Sequence, residues 1–170
     1  MRAFISIDIP DNIKKEIIKI QNKLPELNGK KTEVENLHLT LKFLGWIDEA
    51  KLEEVKKILK EIKFHKFETE INKMGMFSDR IIWLNMTNCN GLQREIDEKL
   101  SDLFEKEERF MGHLTIARVK SLEDRKKFIE KLREIKIKPI KFEVDNFKLK
   151  SSQLKRTGPV YEDLGIYNLK

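Results

Sequence analysis

Cysteine is almost absent: Cys89 stands alone among 170 residues. No internal disulfide framework can form, and too few thiols remain for a cysteine-based zinc site, so a reducing, cytoplasmic setting fits best. Long apolar runs are missing too. No stretch approaches the roughly 20 apolar residues that a membrane-spanning helix needs. The opening MRAFISIDIP is apolar over too short a run for a signal peptide, and Asp8 interrupts it. No P-loop occurs, nor any lysine motif of nucleotidyl transfer, so nothing in the sequence asks for a nucleotide cofactor. No low-complexity segment or long linker divides the chain. Histidine is scarce as well, with three in all.

What is present describes a globular protein. Hydrophobic residues make up 39%, enough to build a core and too many for a disordered chain. At this length residues 1–170 are expected to form a single domain of two small lobes sharing that core, and nothing demands more than a monomer. The formal charge of +6 favours a polyanionic partner such as RNA through phosphate attraction. Charged residues nevertheless reach 38%, mostly lysine and glutamate mixed along helices. That is ordinarily a solvated surface, so charge alone does not lead to RNA.

The elements follow from periodicity. Residues Arg2–Ile9 alternate as a strand. Pro10-Asp11 opens a helix carrying Ile13, Ile17, Ile20 and Leu24, which Pro25 and Asn28-Gly29 end. A strand over about Asn36–Leu44 stops at Gly45. Asp48 caps a helix with Leu52, Val55, Ile58, Leu59 and Ile62. Strand-like runs over Phe64–Met74 and Arg80–Met86 are joined by a turn at Ser78-Asp79. A third helix runs from Asn90-Gly91 through Leu92, Ile96, Leu100, Leu103 and Phe104. A strand over Gly112–Val119 and a helix with Phe128, Ile129 and Leu132 come next. The tail alternates again from Ile140. Strand, helix, strand, helix, two strands is thus followed by helix, strand, helix, two strands. The expectation is an α+β fold of two similar lobes, each an antiparallel sheet backed by helices, with a cleft between them.

Two of the three histidines occupy matched frames: His38-Leu39-Thr40-Leu41 in NLHLTLKFLG and His113-Leu114-Thr115-Ile116 in FMGHLTIARVK. Alternation puts each histidine and its threonine on one face of a strand and the apolar residues on the other. Histidine, with an ordinary pKa of about 6.5, gives or takes a proton near neutrality. Two of them flanking a reacting centre can act as base and acid in one displacement. The threonine hydroxyl can donate to an oxygen gaining negative charge. In-line substitution at phosphorus needs this layout, with helpers on opposite sides and donors for the oxygens between.

A lone histidine in a strand is more often structural than catalytic. The repetition reverses that reading, and His65, in EIKFHKFE, shares none of this context and reads as a surface residue. A zinc site fits poorly, because only two ligands converge where catalytic zinc usually has three protein ligands. A non-catalytic RNA-end binder using the same cleft is the other alternative; a bell-shaped pH dependence of turnover would separate it from an enzyme.

The doubled His-x-Thr pattern resembles the 2H phosphoesterases, and its flanks resemble the RNA 2',3'-cyclic phosphodiesterases, also named 2'-5' RNA ligases. The likeness covers nearly the whole chain. It includes Arg2-Ala3-Phe4, Phe43-Leu44-Gly45, Phe77…Arg80…Trp83, Ala117-Arg118, and Ser152-x-Leu154…Gly158-Pro159-x-Tyr161-x-x-Leu164. One departure stands out. Gly112 precedes the second histidine where the family commonly has proline, which would loosen the strand there.

The resemblance implies metal-independent, cofactor-free opening of a 2',3'-cyclic phosphate at an RNA 3' end to leave a 2'-phosphate. It also implies 2'-5' ligation when an RNA 5'-hydroxyl replaces water. By it one histidine is the base and the other the acid, which we assign as His113 and His38 respectively, while Thr40 and Thr115 hold phosphate oxygens and Arg118 contacts phosphate. Strict alternation turns Arg118 away from His113, so it needs a bulge to reach the site. Phe43 is off-face by the same rule and reads as core. Trp83 and Phe77 read as core or cleft wall, and Tyr161 as cleft lining or closure of the tail.

Overall fold

The computed structural model describes all 170 residues as ten strands and four α-helices. In order these are β1 (Arg2–Asp8), α1 (Asp11–Asn22), β2 (Asn28–Lys31), a 3-10 turn (Val34–Asn36), β3 (His38–Trp46), α2 (Glu49–Lys60), β4 (Phe67–Ile71), β5 (Met74–Phe77), β6 (Ile81–Asn85), α3 (Asn90–Lys99), β7 (His113–Ser121), α4 (Arg125–Glu134), β8 (Ile140–Val144), β9 (Asn146–Lys155) and β10 (Gly158–Asn168). The α+β class and the two-lobed arrangement are as expected. Asp48 caps α2 by accepting from the Lys51 N–H at 2.8 Å, and Asp124 caps α4 through Lys127 in the same way. No helix is long and apolar enough to cross a membrane.

One lobe contains β10-β9-β1-β3, and the other β7-β6-β5 with β2 added. The neighbouring strands pair antiparallel throughout. The two histidine strands are neighbours. They meet at one backbone bridge, Leu39 with Leu114, and then part, and β2 takes over the same edge of β7 from Ala117 to Ser121. The lobes are also laced by their helices. The first helix, from the first half of the sequence, packs on β7, while α3, from the second half, packs on β3. A single cluster of 34 buried apolar residues draws on both halves.

Four expectations shift. The strand-like run over Phe64–Met74 is β4 plus the start of β5, and the two belong to different sheets, since β4 pairs with β8. The third helix ends at Lys99 rather than Phe104. The Asn28-Gly29 turn signal lies inside β2, a strand so polar that no alternation marks it. Phe43 is not core: it is 74% exposed.

Candidate active site

The exposed Phe43 follows from a bulge that both histidine strands share. Along β3 the pairing to β1 runs Ser6 with Thr40 and then Ile5 with Lys42, so Leu41 is the extra residue. Along β7 the pairing to β6 runs Trp83 with Thr115 and then Ile82 with Ala117, so Ile116 is extra. Two successive residues therefore turn inward, Leu41-Lys42 and Ile116-Ala117, and the residue after them returns to the histidine face. Both strands carry the same burial sequence in consequence. Phe43 and Arg118 therefore share the face of the His-x-Thr pairs. The bulge that Arg118 needed is there.

Each bulge is held by a buried polar residue. The carbonyl of Ile116 accepts from the Thr32 N–H at 2.9 Å and from Gln21 Nε2 of α1, also at 2.9 Å. In β3 the inward Lys42 pairs with Asp97 of α3 and donates to the Glu105 carbonyl at 2.7 Å.

Antiparallel register about Leu39 and Leu114 puts His38, Thr40, His113 and Thr115 on one face, opposite the buried leucines. All four are partly exposed. The two imidazoles are oriented alike. His38 Nδ1 lies 2.7 Å from the Asn36 carbonyl and His113 Nδ1 lies 2.8 Å from the Met111 carbonyl. A carbonyl only accepts, so each Nδ1 carries its hydrogen, and in the neutral ring each Nε2 presents a lone pair. There the likeness ends. His38 Nε2 accepts from the Thr40 hydroxyl at 3.0 Å, whereas His113 Nε2 has no partner within the chain.

Their surroundings differ as well. His38 sits in an aromatic corner, 5.2 Å from the Phe4 ring and 5.1 Å edge-on to Tyr161. Asp8 lies across from it in register. Asp8 is bound by Lys150 at 2.7 Å and Lys148 at 2.9 Å, and both lysines also reach Asp163. Burial pushes the His38 pKa below its ordinary value, and the Lys150 and Arg118 charges push the same way, against the Asn36 carbonyl and Asp8. Burial would raise the Asp8 carboxyl, but hydrogen bonds from Lys150 and Lys148 outweigh it and hold it low. Tyr161 is raised by burial, with the Arg118 charge opposing. His113 instead stands edge-on to Phe77, at 5.2 Å, with the Trp83 ring tilted against Phe77 at 5.1 Å.

No three histidine, cysteine or carboxylate side chains converge as metal ligands would. The groups that do converge are two imidazoles, two hydroxyls and the Arg118 guanidinium, a set suited to moving protons and holding an anion.

Sequence comparison agrees with that chemistry. The family model described as LigT like Phosphoesterase matches residues 7–83 and 86–161, one segment for each half. The chain belongs to this family. Among curated relatives, the RNA 2',3'-cyclic phosphodiesterase of Methanocaldococcus jannaschii is 41% identical, over 95% of this chain and 97% of its own length. That of Thermotoga maritima is 38% identical, over 96% and 93%. The crystal structure of Escherichia coli LigT complexed with 3'-AMP superposes with a TM-score of 0.82 at 25% identity, covering 99% of this chain and 98% of that one. This phosphoesterase is thus a phosphodiesterase by relationship.

Sequence reading missed several parts of the phosphoesterase site. Alternation in KFEVDNFKLK places Lys148 and Lys150 on one strand face, but only tertiary structure brings them to Asp8 and His38. Asn36 contributes through its side chain as well as its carbonyl, the amide donating to the Pro159 carbonyl at 3.0 Å. It thereby ties the His38 support to the strand that carries Tyr161.

Proposed function

We propose that this phosphodiesterase hydrolyses 2',3'-cyclic phosphates at RNA 3' ends and leaves a 2'-phosphate and a free 3'-hydroxyl. The observation that carries the reading is the paired face: two His-x-Thr units joined at Leu39 and Leu114, with Arg118 delivered beside them by a bulge. His113 is the base. Its Nε2 lone pair has no partner in the chain, so it is open to a water, whose proton it takes as oxygen bonds to phosphorus. His38 is the acid. As the P–O3' bond breaks, its Nε2 proton passes to the departing 3' oxygen, and exchange with solvent resets both rings. The aromatic corner and the cations hold the His38 pKa low, which makes its imidazolium a strong donor, and the arriving phosphodiester anion supplies the charge that loads it. Thr40, Thr115 and Arg118 hold the non-bridging oxygens. Phe43, exposed on the same face and 6.4 Å from the Phe4 ring that packs on His38, gives the terminal base a ring to lie on.

The reaction runs without a metal in this reading, because Lys150 and Arg118 already bring positive charge to the face that takes the phosphate. A 5'-hydroxyl in place of water gives 2'-5' ligation by the same proton transfers, and residues 1–170 work as one bilobal unit. The test is product analysis on an RNA ending in a 2',3'-cyclic phosphate with EDTA present. Full activity and a 2'-phosphate product are expected. Loss of activity on chelation, or a 3'-phosphate product, would overturn the proposal.

A further inference from the structure

A second exposed aromatic lies farther along the same strand. Trp46 is 79% exposed, more than Phe43 at 74%. Its register shows which way it faces: Trp46 pairs with Arg2, and Phe43 with Phe4. Arg2 and Phe4 are two residues apart on β1 and so share a face, and their partners share it with them. Rings therefore run outward from His38 through Phe4, at 5.2 Å, and Phe43, at 6.4 Å from Phe4, and on to Trp46. The last step spans two residues of β1, about 7 Å. Arg2 is exposed across from Trp46 and belongs to none of the ion pairs.

The fold does not demand this ledge. The positions equivalent to Phe43 and Trp46 in β7 are Arg118 and Ser121, at the same places in an identical burial sequence. Two neighbouring aromatics left in water beside a catalytic face are better read as a binding surface than as packing. A stacking ring with a free guanidinium alongside is what a single-stranded nucleic acid requires, a platform for a base and a charge for its phosphate.

We propose that Trp46 and Arg2 form a subsite for the nucleotide on the 5' side of the one bearing the cyclic phosphate. This rests on the reading above and makes RNA oligonucleotides, rather than mononucleotide cyclic phosphates, the preferred substrates. Trp46 takes the penultimate base and Arg2 the phosphate joining it to the next nucleotide.

The test compares uridine 2',3'-cyclic phosphate with the uridine di- and trinucleotides ending in the same group. Trp46→Ala should raise KM for the two oligonucleotides on the order of 10- to 100-fold and leave the mononucleotide unchanged, while Trp46→Phe keeps most of the affinity. Arg2→Gln should flatten the salt dependence of KM for the oligonucleotides alone. Equal effects on all three substrates, or none, would overturn the subsite. A binding readout stands apart from turnover. Trp83 is buried, so Trp46 is the only exposed tryptophan of the two in the chain. A trinucleotide with a 2'-phosphate end should quench its fluorescence where the mononucleotide does not. Equal quenching by both, or a dimer that Trp46→Ala dissociates with KM unchanged, would contradict the proposal. Wild-type inactivity toward every substrate would instead undo the reading on which it rests.

Discussion

Phe43 and Arg118 occupy the same place in the two lobes. Each is the fifth residue after its histidine, each lies just beyond a bulge, and each is turned back onto the face that carries the His-x-Thr pairs. One strand geometry thus delivers an aromatic ring 6.4 Å from Phe4 in one lobe and, in the other, a guanidinium whose charge is felt at His38 and at Tyr161. The two histidines are repeats in sequence with unlike surroundings. Proton donation and proton acceptance can be divided between them on that basis.

Removing the Arg118 charge should move His38 in a defined direction. The guanidinium disfavours the imidazolium, so Arg118→Gln raises the His38 pKa. An NMR titration of the imidazole reads this directly, and an unchanged or lower midpoint would separate Arg118 from the site. The same variant should lose about 10- to 100-fold in kcat/KM, the scale of one hydrogen bond to a charged group.

His38 should also leave a mark on stability. Its folded pKa lies below its ordinary value, so between the two the unfolded chain binds more protons, and stability rises with pH. The contribution is complete above about pH 6.5 and is lost as pH falls through the folded value. Urea unfolding from pH 5 to 7.5 should show this slope in the wild type and a shallower one in His38→Gln. Equal slopes would mean that the ring is not held neutral.

The sequence shows the alternating histidine strands, the helix caps and the repeated order of elements, because each rests on local periodicity or a local hydrogen bond. It hides what depends on the partner strand. Nothing in LTLKFLG marks Leu41 as the extra residue, so strict alternation sends Phe43 into the core when it belongs on the surface. The strand Asn28–Lys31 is invisible because its four residues are polar and its glycine signals a turn. The Asp8–Lys150 pair joins residues from the two ends of the chain, and no spacing predicts it. The exchange of α1 and α3 between lobes is likewise a matter of packing alone.

Gly112, expected to loosen the entry to its strand, is instead tightly packed. Its carbonyl accepts from the Met86 N–H at 2.9 Å, and a Cβ built on it would lie 2.5 Å from the Met86 carbonyl oxygen. Two backbones meet there immediately before His113. Gly112→Ala should cost about 1–3 kcal/mol by overpacking, measured as a lowered denaturation midpoint, and Gly112→Pro should not recover it. A neutral result for either would show that the strand can shift away from Met86.

Lys42 and Asp97 are both buried, and Asp97 also accepts from the Glu107 N–H at 2.8 Å. Lys42→Met should cost roughly 3–5 kcal/mol because it strands a buried carboxylate. Adding Asp97→Asn, which removes the charge and keeps an acceptor for Glu107, should recover part of that loss in the same unfolding assay. Additive losses in the double variant would contradict the pairing.

A displacement divided between two histidines is tested most directly by turnover of an RNA 2',3'-cyclic phosphate by His38→Ala and His113→Ala beside the wild type. Each variant should fold and lose on the order of 10²–10⁴ in rate. If either variant keeps near wild-type turnover, the two-histidine account is wrong.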